Sequence, residues 1–493
     1  MTSPRADAPP LPPILEEVQR GIRDYYDELG ADRERWIARS RYYYDRVHAL
    51  LRSMIPPGKT VLDIGCGSGD ALAAVAPATG VGIDLSQSMV DLAHSKYPQL
   101  RFECQSAEAL CLEDLEVQNG GGGVDFITLV NAVGELSDVL GAFKRLRPLA
   151  RPDTRIVIVY YNHFYEPLAG PAARLGLKLD NPTQNWLSLD DLSGFLEIAG
   201  FEVVTTGSAL PLPMNVPLLA PLANDVVGKI PILDRLGFVK TLVARPLVPL
   251  ARPPERHSVS VVVPCRNEED NVDAIPKRVP KMGAFTEIVF VDDQSTDATA
   301  ARVKAMMAAQ PDARIQLATG PGEGKGAAVR AGMEVATGDV LMILDADMTV
   351  LPEDLSAFFE AITENRGEFI NGTRMVYPLF ENAMRPANII GNKLFAVLFS
   401  LLLGQRITDT LCGTKVVMRH DYEKIAASRP LFRGVDLWGD YDWIFGAAKN
   451  NLRIVELPVH YVERVAGETK MNRRLGNAWV MLKMCWVAFR TLR

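Results

Sequence analysis

Two successive series of short apolar runs, each followed by a helix-compatible stretch, constrain this chain more than any other feature. TVLDIG (60–65), GVGID (80–84), VDFITLV (124–130), RIVIVYY (155–161), FEVVTT (201–206) and KTLVARP (240–246) form the first series. After the Pro- and Arg-containing stretch VARPLVPLARPPERHS the alternation starts afresh with VSVVVPC (259–265), TEIVFVDD (286–293), ARIQLAT (313–319) and DVLMILDAD (339–347). Runs this apolar suit strands covered on both faces, and strands alternating with helices build a doubly wound parallel sheet. The pattern predicts an α/β protein of two domains divided near residue 253, with no sequence repeat between the halves. A chain of 493 residues is long enough for two such cores.

Residues 14–55 mix charges and apolar positions at helical spacing without proline, which predicts two amphipathic helices ahead of the first strand. The Pro-rich start lacks the apolar core of an export signal and reads as a disordered tail over 1–13. The expected divisions are then 14–252, 253–475 and a final amphipathic helix over 476–493. With 53 basic and 60 acidic residues the net charge is −7, which argues against nucleic acid as a partner. The six cysteines are scattered without a CxxC pair, as expected in a reducing cytosol. The uncharged stretch 203–224 is broken by Pro211, Pro213, Pro217 and Pro221, and Leu394–Leu403 is shorter than the roughly 20 residues that cross a bilayer. Any attraction to a membrane must therefore be local.

VLDIGCGSGD (61–70) sets glycines at 65, 67 and 69 directly after a strand, where missing side chains admit a ligand close to the backbone. Asp84 ends the next strand and can accept hydrogen bonds from ribose hydroxyls. A dinucleotide loop would carry glycine where Asp70 stands, and that carboxylate would repel a pyrophosphate, so a ligand without phosphates fits better. On these residues the first half resembles the class I S-adenosylmethionine-dependent methyltransferases, over about residues 35–250. The resemblance implies that Gly65, Gly67 and Gly69 line the methionine and adenosine, that Asp63 orients the loop, and that Asp84 holds the ribose. The family often has Asp in the adenine loop, whereas this chain reads Gln105-Ser106-Ala107-Glu108, leaving adenine to Ser106 or Ala107. The methyl acceptor is less legible. Asn131 and Glu135 follow the fourth strand, Tyr161, Asn162 and His163 the fifth, and His163 is the candidate base.

In the second half, VVVPCRNEEDNV (261–272) and VDDQSTDAT (291–299) each run from a buried strand into a polar loop at one sheet edge. DADM (345–348) ends a further apolar strand with two carboxylates one residue apart, a pair suited to a divalent cation that neutralises a diphosphate. GEGKG (322–326) is not an ATP loop, because Thr319 and Gly326 stand where that motif needs Gly and Ser or Thr. Together these residues resemble glycosyltransferase family 2, of GT-A fold, and look most like synthases of dolichyl- or polyprenyl-phosphate mannose and glucose, over about residues 257–475. The resemblance implies a UDP- or GDP-hexose donor. Pro264, Arg266 and Glu268 would bracket its base, Asp292 and the adjoining Asp293 would bind it, Lys325 would meet a phosphate, and Asp345 and Asp347 would hold diphosphate with Mg²⁺ or Mn²⁺. GTRM, DTLCGTK and VERVAGETKM add Arg374, Asp409, Arg464 and Lys470 as candidates for phosphate or acceptor recognition.

A sugar-hydroxyl nucleophile would want a carboxylate base, for which Asp409, Asp440 and Asp442 are available. A lipid phosphate would need none, being anionic near neutral pH with a second pKa of about 6. The absence of a Q-x-x-R-W motif after Asp409 favours transfer of one sugar over processive synthesis. From Arg464 to the C-terminus seven cations face one acid, Glu468, and Trp479, Lys483, Trp486 and Arg490 share one helical stripe, which suits an anionic membrane surface. ANIIGNKLFAVLFSLLLGQR (387–406) and the Pro-broken segment 209–222 are further membrane-contact candidates. The expectation is a bifunctional enzyme, peripheral on the cytoplasmic face of the cell membrane, that moves a hexose to polyprenyl phosphate and a methyl group to an unassigned acceptor; a homo-oligomer is compatible with it. A soluble or glycan hydroxyl as sugar acceptor, and a first half that only binds, stay open as alternatives.

Overall fold

A computed structural model describes residues 13–30, 32–110, 123–175, 179, 185–230, 236–247, 253–376, 386–432, 439, 441–462 and 474–492. The chain divides into two compact units, Met1–Val248 and Pro249–Arg493.

The first unit opens with three helices, α1 (Pro13–Leu29), α2 (Asp32–Arg39) and α3 (Arg41–Met54), where two were expected. Gly30, at φ +37°, ends α1, and a turn at Ser40 parts α2 from α3. Among the described residues seven strands follow: β1 (Thr60–Ile64), β2 (Thr79–Asp84), β3 (Arg101–Cys104), β4 (Val124–Val130), β5 (Ala150–Tyr161), β6 (Phe201–Ala209) and β7 (Val239–Pro246), in the order β3-β2-β1-β4-β5-β7-β6. The strand alternation sends Leu62, Ile64, Ile127 and Ile156 to one core, and Val61, Phe126 and Val157 to the other, where α3 packs Tyr43, Val47 and Leu51. Each such side chain contributes about 1.5–3 kcal/mol on burial. The sheet is not wholly parallel, because β7 inserts antiparallel between β5 and β6. An antiparallel neighbour needs no crossover helix, and apolar runs carry no record of strand direction.

The second unit holds β8 (Ser258–Cys265), β9 (Phe285–Asp292), β10 (Ile315–Thr319), β11 (Val340–Ile343), β12 (Phe369–Thr373), β13 (Lys415–Met418) and β14 (Ile454–Pro458), in the order β10-β9-β8-β11-β13-β12-β14. Here β13 is the antiparallel member, paired with both β11 and β12. Val262, Val289, Leu341 and Ile343 face a core shared with the helices Lys325–Val335, Pro386–Leu403, Tyr441–Lys449 and Arg474–Leu492. Val261, Val263, Phe290 and Met342 face the other side, where Phe358 and Ile362 pack. The parallel strands β8, β9 and β11 end together, so the loops after Cys265, Asp292 and Ile343 gather at one sheet edge.

Candidate functional site

In the first unit a cavity of about 700 Å³ opens beyond the carboxyl ends of β1, β2 and β4. After β1 the chain turns through Gly65, Gly67 and Gly69 at φ +67°, +52° and +79°. A Cβ on Gly65 would lie 2.6 Å from that of Ala132, and one on Gly69 would lie 2.7 Å from the Phe102 ring. At Gly67 it would meet nothing within 4 Å. Gly65 and Gly67 form part of the cavity wall, whereas Gly69 serves the turn behind it. Asp84 fixes this loop: Oδ2 accepts from the Gly67 N–H at 2.8 Å and Oδ1 from the Ser86 N–H at 3.0 Å. Burial raises its pKa, against the pull of these bonds.

Asp63 also lines the cavity. Its Oδ1 accepts from the Thr128 hydroxyl at 2.5 Å, while Oδ2 is buried without a partner. Burial pushes its pKa up to about 7, with the Thr128 bond opposing and Asp84 reinforcing the rise. Gln105 Oε1 is likewise buried and unpartnered in the same wall. Two acceptors without donors suit a ligand that brings N–H groups, such as an ammonium and an exocyclic amine. Ser106 lines the cavity beside them and caps the short turn that follows, its Oγ accepting from the Glu108 N–H at 3.2 Å. Glu108, left outside the sequence-based set, accepts from Ser137 N–H at 2.7 Å and Asp138 N–H at 3.1 Å and also meets Gln19, which ties α1 down over the site.

The opposite wall is aromatic. Tyr26 donates to Glu135 at 2.7 Å and Tyr43 to Asn131 Oδ1 at 2.9 Å. Burial raises the pKa of Tyr26, Tyr43 and Tyr161, so all three are neutral hydroxyls near pH 7. His163 is not brought to this cavity. It starts a short 3₁₀ turn with its ring 4.4 Å from that of Phe164, centroid to centroid. His48 of α3 lines the wall instead, and burial pulls its pKa down, leaving a neutral imidazole able to accept a proton. No spacing rule singles out His48, because it sits in an ordinary amphipathic helix.

In the second unit the charged residues largely satisfy one another. Pro264 is half-buried and Arg266 exposed after β8, while buried Glu268 accepts from Asn271 at 2.8 Å. Asp292 accepts from the Ser295 N–H at 3.4 Å. Buried Asp293 takes the N–H groups of Gly322 at 2.7 Å and Gly324 at 3.1 Å, so it shapes the glycine loop that leads to Lys325. Lys325 Nζ lies 2.7 Å from Asp345, and a Cβ on Gly413 of DTLCGTK would collide with both side chains. Asp347 accepts from the Thr349 N–H at 3.1 Å and hydroxyl at 2.9 Å. Among the described residues no cluster of three or more His, Cys, Asp or Glu is arranged to hold a metal ion. Two carboxylates supply too few oxygens to enclose a divalent cation, which takes six or more, so any such ion would draw the rest from a diphosphate and water.

Asp409 is fully buried and gripped by Arg374, with Nε–Oδ2 at 2.6 Å and NH2–Oδ1 at 2.8 Å. Asn392 at 3.2 Å and the Leu411 N–H at 3.0 Å also donate to it. Burial would raise the Asp409 pKa, but Arg374 overcomes this and holds it below the usual carboxylate range. Asp409 is therefore a fixed anion, not a poised base. Asp442 is engaged by Arg429 at 3.0 Å. Glu456, which the sequence did not flag, anchors the Thr408 N–H at 2.7 Å and the Asp409 N–H at 3.2 Å. Asp440, Arg464 and Lys470 lie outside the described residues.

The helices Pro386–Leu403 and Arg474–Leu492 pack together. Met481, Met484, Cys485 and Ala488 face the core, leaving Trp479 64% and Trp486 60% exposed on the side that also bears exposed Lys483 and Arg490. Leu394 and Val397 are exposed on the neighbouring helix. No helix among the described residues is long and apolar enough to cross a membrane.

Sequence comparison assigns a class to each half. The Glycosyl transferase family 2 model matches residues 260–426, and a Methyltransferase domain model matches residues 35–206. Both halves are thus transferase domains. The chain belongs to glycosyl transferase family 2 and carries a methyltransferase domain ahead of its glycosyltransferase domain. Polyprenol monophosphomannose synthase of Mycolicibacterium smegmatis is 30% identical over 224 residues, covering 45% of this chain and 83% of that protein. Among solved structures, a possible histamine N-methyltransferase from Thermotoga maritima is similar at 16% identity and TM-score 0.36, over 45% of this chain and 99% of its own. Magnesium protoporphyrin IX methyltransferase from Synechocystis, solved with bound SAH, is similar at 20% identity and TM-score 0.32, over 46% of this chain and 98% of its own.

Proposed function

We propose that this chain is a bifunctional transferase: its second half moves one hexose from a UDP- or GDP-sugar to a polyprenyl phosphate at an anionic membrane surface, and its first half transfers methyl from S-adenosylmethionine. The observation that carries the sugar half is the arrangement of Asp293, its glycine loop, Lys325, Asp345 and Asp347 at one sheet edge. In this reading Asp292 and the loop after Pro264, with Arg266 and Glu268, receive the nucleoside. Lys325 sits where it can release Asp345 and meet a departing diphosphate. Asp345 and Asp347 would hold Mg²⁺ or Mn²⁺, whose chemistry is to neutralise charge growing on that leaving group. A single displacement inverts the anomeric carbon.

The state of Asp409 favours the lipid phosphate over a hydroxyl acceptor. Its tight pairing with Arg374 removes the first candidate base, and a phosphate nucleophile needs none. The similarity to polyprenol monophosphomannose synthase supports the same acceptor. Exposed Trp479 and Trp486 beside Lys483 and Arg490 support a membrane-surface location for the reaction. In the first half, Asp63 and Gln105 would receive the donor's ammonium and amine groups, with Gly67, Asp84 and Ser106 completing the donor site.

The test supplies full-length protein with UDP- and GDP-hexoses and polyprenyl phosphate, and follows products by mass spectrometry. A hexosyl phosphoryl lipid is expected. Sugar appearing only on water-soluble hydroxyl acceptors would overturn the lipid reading. In parallel, calorimetry with S-adenosylmethionine should give saturable heat; its absence would make the first half a module of another kind.

A further inference from the structure

The first unit's cavity also holds a cation, Arg33, whose charge reaches Asp84. Arg33 of α2 projects into it with Nε shut off from solvent and without a hydrogen-bond partner. Its guanidinium faces Tyr44, Tyr26, Tyr161 and Glu135, lying 5.8 Å from the Tyr44 ring centroid. Among the described residues Arg33 forms no ion pair, and Glu135, which it faces, accepts from the Tyr26 hydroxyl at 2.7 Å. A guanidinium set in a cavity wall wants an oxyanion. Its donors contrast with the unpartnered acceptors Asp63 Oδ2 and Gln105 Oε1 of the same cavity.

The same cavity has apolar lining that reaches the surface. Trp36, Ile37, Phe238, Leu168 and Met214 line it, and the last two are also 59% and 48% exposed, so they mark its mouth. The chain after Met214 continues as a turn-rich segment with Leu218 87% exposed and Leu219, Leu222 and Val226 each more than half exposed. The segment is not loose: Asn224 is buried, exchanges hydrogen bonds of 2.9 and 2.8 Å with the backbone of Leu212, and bonds the Tyr42 hydroxyl at 3.0 Å. Apolar side chains held outward at the mouth of a cavity suit a ligand whose tail stays in a lipid phase while its head goes in.

We infer that the methyl acceptor is an anionic amphiphile drawn from a lipid surface, its oxyanion head on Arg33 and its apolar body leaving past Leu168 and Met214. This rests on the methyltransferase reading and adds the substrate class. One head oxygen accepts from Arg33 and another attacks the methyl carbon. The new O–CH₃ bond forms as the S–CH₃ bond breaks, the electron pair stays on sulfur, and an ionised head has no proton to lose, so no base is required. A carboxylate and a phosphate head share this chemistry.

The experiment incubates the full chain with methyl-tritiated S-adenosylmethionine and vesicles doped with a long-chain fatty acid, with polyprenyl phosphate, or with a fatty alcohol of matched length. Label is expected in one of the two anionic lipids at no less than about tenfold over the alcohol; which one takes it identifies the head. Arg33→Gln should raise the acceptor KM by about tenfold or more while S-adenosylmethionine affinity by calorimetry moves less than about twofold, and Arg33→Lys should recover part of the loss. Leu218→Asp with Leu222→Asp should lower labelling from vesicles but not from a short-chain acid in solution. Donor heat without label in any anionic lipid, or loss of donor affinity in Arg33→Gln, would overturn the inference, the latter by assigning Arg33 to the donor's own carboxylate. Absence of donor heat in the parent protein would instead remove the reading beneath it.

Discussion

The two units build their sites on similar sheet edges but handle charge in opposite ways. The first encloses its polar atoms in a cavity and leaves three of them, Asp63 Oδ2, Gln105 Oε1 and Arg33 Nε, without partners. The second pairs its charges, Lys325 with Asp345 and Arg374 with Asp409, and spends Asp293 on its own glycine loop. Unpartnered buried groups are costly and persist where a ligand completes them, whereas paired charges hold a loop ready and must exchange partners on binding. The first site should therefore respond to pH and to single hydrogen bonds, and the second to loss of charge.

The largest effect is expected at Asp347. Asp347→Asn keeps the side-chain shape and its bonds to Thr349 within reach but removes the charge, so sugar transfer should fall by about 10²–10³-fold or more. Calorimetric affinity for S-adenosylmethionine should stay within about twofold, because the two units have separate cores. Loss of both activities would contradict separate sites.

Next comes the buried pair. Arg374→Met strands Asp409 as an uncompensated buried anion, a change that costs about 3–5 kcal/mol and should lower the second unit's melting transition by roughly 10 °C. The double variant Arg374→Met with Asp409→Leu should recover part of that stability, though the Leu411 N–H and Asn392 lose their acceptor. If the single variant melts like the parent, Asp409 is not held as described and regains its candidacy as a base.

How far the sequence revealed these sites depends on the range of the interactions. The glycine loop, Asp84, the Asp345–Asp347 pair and Lys325 were legible because backbone geometry and strand ends write themselves into short motifs. The matching family models agree with both halves. Arg33, His48 and Gln105 were not legible, since they reach the cavity from helices and a loop whose own periodicity is satisfied without a ligand. The antiparallel direction of β7 was hidden because an apolar run reports burial and not direction, and β13 was not read as a strand at all. His163 had the right strand end but not the right aim, and Asp409 had the right motif but a partner, Arg374, that lies 35 positions away.

A smaller effect should come from pH. Asp63 titrates at about 7 in the fold, above the ordinary value of 3.8, because it is buried. A raised carboxyl contributes most to stability below pH 4 and loses that contribution as pH climbs through 7. Donor binding should move the other way, since an ammonium seeks the ionised form: affinity for S-adenosylmethionine should weaken by up to about tenfold per pH unit below 7. Asp63→Asn should flatten this profile. A parent profile that is flat between pH 5 and 8 would remove Asp63 from contact with the donor's ammonium.

The smallest effect distinguishes a membrane face from a plain protein surface on the helix Arg474–Leu492. Removing the helix is a poor test, because Met481, Met484, Cys485 and Ala488 belong to the core and their loss would unfold what they cover. Substitution on the exposed side avoids this. Lys483→Gln and Arg490→Gln should each weaken binding to anionic vesicles by about fivefold, near 1 kcal/mol per cation at a charged surface, and the loss should shrink as salt screens it. Trp479→Ser with Trp486→Ser should weaken binding without that salt dependence, since the indoles act by partitioning. Vesicle affinity unchanged in both pairs would leave the stripe a solvated face, and the proposed lipid acceptor would then have to reach Lys325 and Asp345 by another surface.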